Sequence, residues 1–414
     1  MRALVLGYGR SGKAAEALLR ARGGDAVVLA DDEQDRIEGE GFDFAVVSPG
    51  IALTHPWIVE AKRRGIPLKS ELQLGCEELK RQGWKLLAVT GSKGKSSVVK
   101  VVADAINLAG MKTVACGNYG VPVCEVAFED GRRETGDSDG HWAVVEVSSF
   151  MMETTELPPG SFEAAAILNL QEDHLDRHGS VEVYHGLKRK LLTMAKVGCC
   201  GGETPPPYDG SDPWTGSYFD NEILAGNAAI AVELMRLAGL DDVVIGRAFR
   251  EFAPLPHRMN LVAEIDGVRY VDDSKATSLA ALVAGVRMVT PIAKDGARGP
   301  KTEAGRRAKS IRLIAGGLPK GDDPKTALAT LTERVKKVYL IGQSAEAFFA
   351  AWNGAVDCEI CGTMERAVEK AKREAEKGET VLLSPGTASF DQFQSYGERG
   401  DVFARLVKKE GQPK

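Results

Sequence analysis

The stretch that most constrains this chain is residues 85–110, where KLLAVT runs into GSKGKSS and then into VVKVVADAINLAG. Six residues of strand character lead directly into a turn of glycine, serine and lysine. The apolar positions that follow recur at helical spacing and end in glycine. A strand that hands such a turn to a helix start aims backbone amides at one spot and adds the positive end of the helix dipole, which suits phosphate. Gly91, Ser92, Lys93, Gly94, Lys95, Ser96 and Ser97 are therefore candidate nucleotide-binding residues. Lys95 can meet charge on the outer phosphates, and the Ser96 hydroxyl can reach magnesium. The eight-residue P-loop spacing is not met, because Val89 stands where its first glycine belongs. An exposed turn of the same composition is the competing reading.

Around this segment the chain alternates strand-like and helix-like stretches, which predicts an α/β protein with mostly parallel sheets covered by helices. Short strands are expected at 2–6, 26–29, 44–47 and 66–68, with helices near 12–22 and 56–64. Further strands are expected at 141–150, 164–170, 268–274, 311–317, 336–342 and 380–386, with helices near 222–238 and 403–410. The 414 residues divide on this rhythm into three domains, at 1–83, 84–253 and 254–414. A net charge of -5 argues against a generally basic, nucleic-acid-binding surface. No run of about 18 apolar residues occurs, so no membrane span is expected. Gly7, Gly9 and Gly12 interrupt the apolar opening, which reads as a strand and helix, not as a signal peptide, and a cytoplasmic protein is expected. Seven cysteines make no disulfide framework, and Cys358-x-x-Cys361 has metal-like spacing but no second pair.

Other polar groups stand where open sheets place ligands. Gly7-Tyr8-Gly9-Arg10-Ser11-Gly12 matches GxGxxG, with Asp31 and Asp32 after the next strand. The match is compatible with a dinucleotide, with another nucleotide, or with plain turn geometry. The unit ahead of the second glycine-rich loop has only about 80 residues, little room for two mononucleotide halves. Glu146 ends an apolar run and can hold a cation or simply finish a strand. His174, in Asp173-His174-x-Asp176-Arg177-His178, can bind metal or substrate or lie on the surface. Tyr184-x-x-x-Lys188 sits on a predicted helix.

Taken in order along the chain, these segments resemble the Mur ligase family. The opening loop, Ser48-Pro49-Gly50-Ile51, His55-Pro56 and Glu71-Leu72 resemble its UDP-substrate domain. GSKGKSS (91–97), GNYG (117–120), EVSSF (146–150) and NLQEDHLDRHG (169–179) resemble the central ATPase signatures. LPHRM (255–259), DDSKAT (272–277), AGGLPK (315–320) and LLSPGTASFDQFQSYGERG (382–400) resemble the D-glutamate-adding members. The resemblance implies Rossmann-like N- and C-terminal domains around a central P-loop ATPase domain. It also implies an ATP-dependent ligation through an acyl phosphate, with UDP-N-acetylmuramoyl-L-alanine and D-glutamate as partners, by a monomer.

On that resemblance Gly9, Arg10, Ser11, Asp31, Asp32, Ser48 and Gly50 would hold the UDP precursor. Lys95 would grip the β- and γ-phosphates, Ser96 and Glu146 would hold a first magnesium, and His174 a second. Lys188 matches a lysine that is carbamylated, and N-carboxylysine there would serve as an anionic metal ligand. Asn118, Asn227, Arg258, Asp273 and Lys275 would contact nucleotide, while Thr277, Lys320, Ser389 and Tyr396 would surround D-glutamate. The chain departs from the family in five places, the mildest being Ser97 in place of threonine. The His-Asn before Asn227 is missing, Lys93 replaces asparagine, Gly386 replaces alanine, and a basic segment at 291–310 reads as an insertion. A Mur-type ligase using a different amino acid or acceptor is one alternative. An NAD-dependent oxidoreductase built on the first glycine loop is another, and it leaves Lys95 and His174 without a shared purpose.

Overall fold

The computed structural model describes residues 1–30, 37–131, 140–201, 212–289 and 309–409. The expected carboxylates Asp31 and Asp32, and the body of the basic insertion, lie outside these residues.

Three sheets account for the alternating pattern. The first has four parallel strands, in the order Asp25–Leu29, Arg2–Leu6, Phe44–Val47 and Leu68–Ser70. The second has five parallel strands, in the order Thr113–Gly117, Trp142–Glu146, Lys85–Thr90, Phe162–Ile167 and Ala195–Cys200. The third runs Asn260–Ile265, Val268–Asp272, Thr380–Leu383, Ile311–Gly316, Val335–Ile341 and Asp357–Gly362, and only its first pair is antiparallel. The inner strands are buried along almost their whole length, which is why they read as unbroken apolar runs. Four strands are absent from the sequence-based expectation: Thr113–Gly117, Ala195–Cys200, Asn260–Ile265 and Asp357–Gly362. All four are sheet edges, wetter and more polar, and carry no such run.

Two expected elements change extent. The strand expected over 141–150 stops at Glu146, because the Ser148 hydroxyl accepts from Met151 N and caps a short helix, Ser149–Met152. The last helix begins at Tyr396, seven residues before the expected start. Gly397 and Gly400 lower its helical propensity, yet a Cβ on Gly400 would lie 2.6 Å from Asp272 Oδ2, so this turn packs too closely for any side chain.

By compactness the described chain forms two units, one of residues 1–206 with 226–252 and one of 207–225 with 253–414. The first unit contains two sheets because they share one core. Val5, Leu18 and Leu72 from the first sheet and its helices join Leu86, Cys124 and Phe162 in one buried cluster. In the second unit the sheet has a core on each face, and Cys358 lies in one while Cys361 lies in the other. Residues three apart on a strand point to opposite faces, so this pair cannot chelate one ion. No helix among the described residues is long and apolar enough to cross a membrane.

Candidate active site

The phosphate-loop candidate leaves the central strand of the five-stranded sheet, where neighbouring connections diverge to either side. Open α/β sheets place ligands at this point. Gly94 adopts a left-handed φ of 84° and caps the helix Lys95–Leu108. The loop is clamped from the next strand end. Asn169 Oδ1 accepts from Lys93 N at 2.9 Å, and its Nδ2 donates to Lys93 O at 2.9 Å and to Asn227 Oδ1 at 3.2 Å. Asn227 thus reaches the phosphate loop through Asn169. Asn169 opens the NLQEDHLDRHG segment and was not anticipated as a site residue. Its position after a strand was the available signal, and the clamp itself is tertiary. Asn169→Ala should loosen the loop and weaken ADP binding by about tenfold, as loss of one or two net hydrogen bonds implies. Calorimetric titration with ADP and magnesium reads this directly, and unchanged affinity would count against the clamp.

Two lysines converge on one carbonyl. Lys95 Nζ donates to Gly91 O at 2.7 Å and to Ser92 O at 3.1 Å, while Lys188 Nζ donates to the same Gly91 O at 3.0 Å. Lys188 is 1% exposed. Burial, with the Lys95 charge beside it, pushes its amine down to about 7. Tyr184, one turn earlier, holds its ring 4.6 Å from Lys188 Nζ and its hydroxyl 3.1 Å from Ser92 Oγ.

Glu146, at the end of the neighbouring strand, is 2% exposed. Its Oε1 accepts from Asn118 Nδ2 at 2.6 Å, and its Oε2 is buried with no hydrogen-bond partner. A buried carboxylate oxygen left in this state fits a cation. Among the described residues no three His, Cys, Asp or Glu side chains form a metal cage. Magnesium takes one or two protein ligands and completes its shell with phosphate and water, so the orphaned Glu146 oxygen fits it. His174 takes a left-handed φ of 54°, and its ring packs 4.9 Å from Phe150 and 6.1 Å from Tyr184.

The first glycine loop lies at the switch point of the four-stranded sheet. A Cβ on Gly12 would fall 2.0 Å from Gly7 O, so only glycine permits this helix start. Ser48 Oγ donates to the same Gly7 O at 2.9 Å and joins the two strand ends. Gly9 caps the helix Arg10–Ala21 without a side-chain bond, leaving Ser11 in its first turn, and Arg10 donates to Gly120 O at 3.1 Å. Gly50 follows in the half-turn after Ser48.

In the second unit, candidates from distant segments meet at the carboxyl ends of the strands. Burial pushes Asp273 up to about 7, and its Oδ2 accepts from Ser384 Oγ at 2.9 Å. Lys275 Nζ lies 3.8 Å from the centre of the Tyr396 ring. Arg258 sits between His257 and Met259, both in left-handed conformation. Leu318 N donates to Ala388 O at 2.9 Å, bringing the turn that carries the exposed Lys320 beside the buried Ser389. Thr277 is half-buried, just before the helix Leu279–Met288. Arg399, not anticipated as a site residue, is wholly buried beneath this surface. Its Nε donates to Ser274 Oγ at 3.0 Å, and its terminal nitrogens donate to Ser274 O, Thr387 O and Ala388 O at 2.9–3.2 Å.

Comparison with known proteins identifies the family. Residues 89–199 match the Mur ligase middle domain, and residues 257–386 match the Mur ligase glutamate ligase domain. A UDP-N-acetylmuramoylalanine–D-glutamate ligase of Acidobacterium capsulatum is 33% identical, over 98% of this chain and 95% of its own. The protein of the same name from Chlamydia abortus is 31% identical, over 98% and 97%. Among solved structures, the UDP-N-acetylmuramate-alanine ligase of Thermotoga maritima has a TM-score of 0.53 at 16% identity, covering 98% of both chains. The MurF ligase of the same organism, solved with ADP, has a TM-score of 0.54 at 14% identity, covering 92% and 96%. With relatives at this identity along nearly its whole length, the chain belongs to the Mur ligase family.

Proposed function

We infer that this chain joins D-glutamate to UDP-N-acetylmuramoyl-L-alanine, converting ATP to ADP and phosphate. The observation that carries the reading is the end-to-end match to ligases of that name, which includes the C-terminal motifs. The acceptor's free carboxylate attacks the γ-phosphorus of ATP, ADP leaves, and an acyl phosphate forms. The D-glutamate amine then adds to the activated carbonyl, and the tetrahedral intermediate collapses to amide and phosphate. Two anions must approach in the first step, so fixed positive charge and oriented donors at the phosphates supply much of the rate.

The loop 91–97 receives the phosphates, with Lys95 exchanging its own loop carbonyls for the β- and γ-oxygens. Ser96, the orphaned oxygen of Glu146 and His174 would hold magnesium, which supplies charge neutralisation at the transferring phosphoryl group. Lys188, with an amine near 7, is part unprotonated at neutral pH and can take up carbon dioxide as an N-carboxylate. That change turns a repelling ammonium into an anion. Asn118 orients Glu146, and Asn227 steadies the loop through Asn169. Gly9, Arg10, Ser11, Ser48 and Gly50 receive the UDP precursor. Arg258, Asp273 and Lys275 serve the nucleotide, while Thr277, Lys320, Ser389 and Tyr396 receive D-glutamate, with Lys320 facing a substrate carboxylate. The chain acts in the cytoplasm, where ATP and the nucleotide-linked precursor are made.

Phosphate release by the purified protein with ATP, magnesium and the UDP precursor should require D-glutamate and yield the amide. Release with L-glutamate or another amino acid instead would move the assignment within the family. No release with any amino acid would overturn it.

A further inference from the structure

Within the first unit one side chain ties the loop after the third strand to the segment that carries His174. Arg177 lies one turn after His174 and donates its own backbone N–H to His174 O at 3.2 Å. Its guanidinium makes a two-pronged bond to Glu153, at 3.0 and 2.6 Å, and also donates to Ile51 O at 2.7 Å and Pro49 O at 3.4 Å. Its flat face lies 5.2 Å from the Phe150 ring, which packs on His174. Glu153 is held from behind by His178, whose Nδ1 is 3.3 Å away and whose Nε2 bonds Ser149 Oγ at 3.0 Å. The far end is equally well anchored. Ile51 N donates to Ser48 O at 3.0 Å, and the Ile51 side chain borders Gly7. A continuous series of contacts therefore runs from Gly7 and Ser48 through Ile51 and Arg177 to His174.

We propose that Arg177 is a positioning residue that sets the reach from the nucleotide-sugar loop to His174, so that the acceptor's carboxylate meets the phosphoryl group it attacks. The proposal rests on the assignment of residues 48–51 to the UDP precursor. A planar fork is needed because three acceptors on two elements are served by one group. Lysine carries the charge but reaches only part of the set.

The test is Arg177→Lys in the full chain, with calorimetric titration by UDP-N-acetylmuramoyl-L-alanine alone and, separately, by ADP with magnesium. Loss of a charge-assisted bond should weaken the precursor about tenfold or more and leave ADP within about twofold. KM for the precursor should rise likewise while KM for ATP stays level. Glu153→Gln, which keeps shape but not charge, should move the precursor in the same direction by less. Equal weakening of both ligands would mark a merely structural residue, and unchanged precursor binding would overturn the proposal, as would a parent protein that fails to bind the precursor. A parent that binds the precursor but does not ligate D-glutamate would sink the proposed function alone, because the binding comparison needs no turnover.

Discussion

Replacing Lys188 with methionine should give a protein that is more stable at neutral pH yet slower by about 10²–10³ in turnover. The two effects share a cause. Lys188 is almost wholly buried against the charge of Lys95, and its amine is pushed down from 10.5 to about 7. Between about pH 7 and 10 the unfolded chain binds this proton and the folded chain does not, so stability rises with pH across that window. At pH 7 and below nearly the full cost of holding the ammonium inside is present, about 5 kcal/mol. Methionine removes that cost and fills similar space, but offers no anion and no bond to the phosphate loop. Thermal melts in buffer freed of carbon dioxide, from pH 6 to 9, should show Lys188→Met most stabilised over its parent at the acid end, with the difference shrinking as pH rises. A variant less stable than its parent at pH 7, or one with undiminished turnover, would contradict this account.

Arg399→Met is expected to do the reverse, lowering the stability of the second unit by about 3–5 kcal/mol. Arg399 is as deeply buried, and burial brings its guanidinium down to about 10, but Asp391 and Asp272 pull it back. Four acceptors surround it, three of them backbone carbonyls. Methionine would strip Ser274 O and Thr387 O of the donor Arg399 supplies and leave Ala388 O with only Leu318 N. Those carbonyls belong to the turns that carry Lys275, Ser389 and, through the Ser274–Tyr396 bond, the start of the last helix. KM for D-glutamate should therefore rise more than KM for the UDP precursor. Denaturant unfolding followed with the two KM values checks both parts, and a midpoint within error of the parent would refute the first. Of two buried cations, one is expected to cost the fold stability and the other to brace it. Only their neighbours distinguish them.

The glycine-rich loops were legible in the sequence because their turn geometry is local: a strand, a few small residues and a helix start lie within one stretch of chain. The inner strands were legible too, since burial on both faces writes an unbroken apolar run. Edge strands such as Ala195–Cys200 carry no such mark. The start of the last helix was hidden by Gly397 and Gly400, which serve close packing on Asp272. Asp31, Asp32 and the basic insertion stand outside the described residues.

Taken alone, the sequence determined the order of βα units, the two glycine loops and the family, because each depends on residues near one another in the chain or on motifs in a set order. Tertiary structure alone decided that Asn169 clamps Lys93, that Glu146 keeps one oxygen unpaired, that Lys188 shares a carbonyl with Lys95, and that Arg399 has acceptors on every side. The physical reason is that a side chain's charge state and worth depend on burial and on partners brought from as far as 76 to 125 residues away. No local pattern encodes that distance.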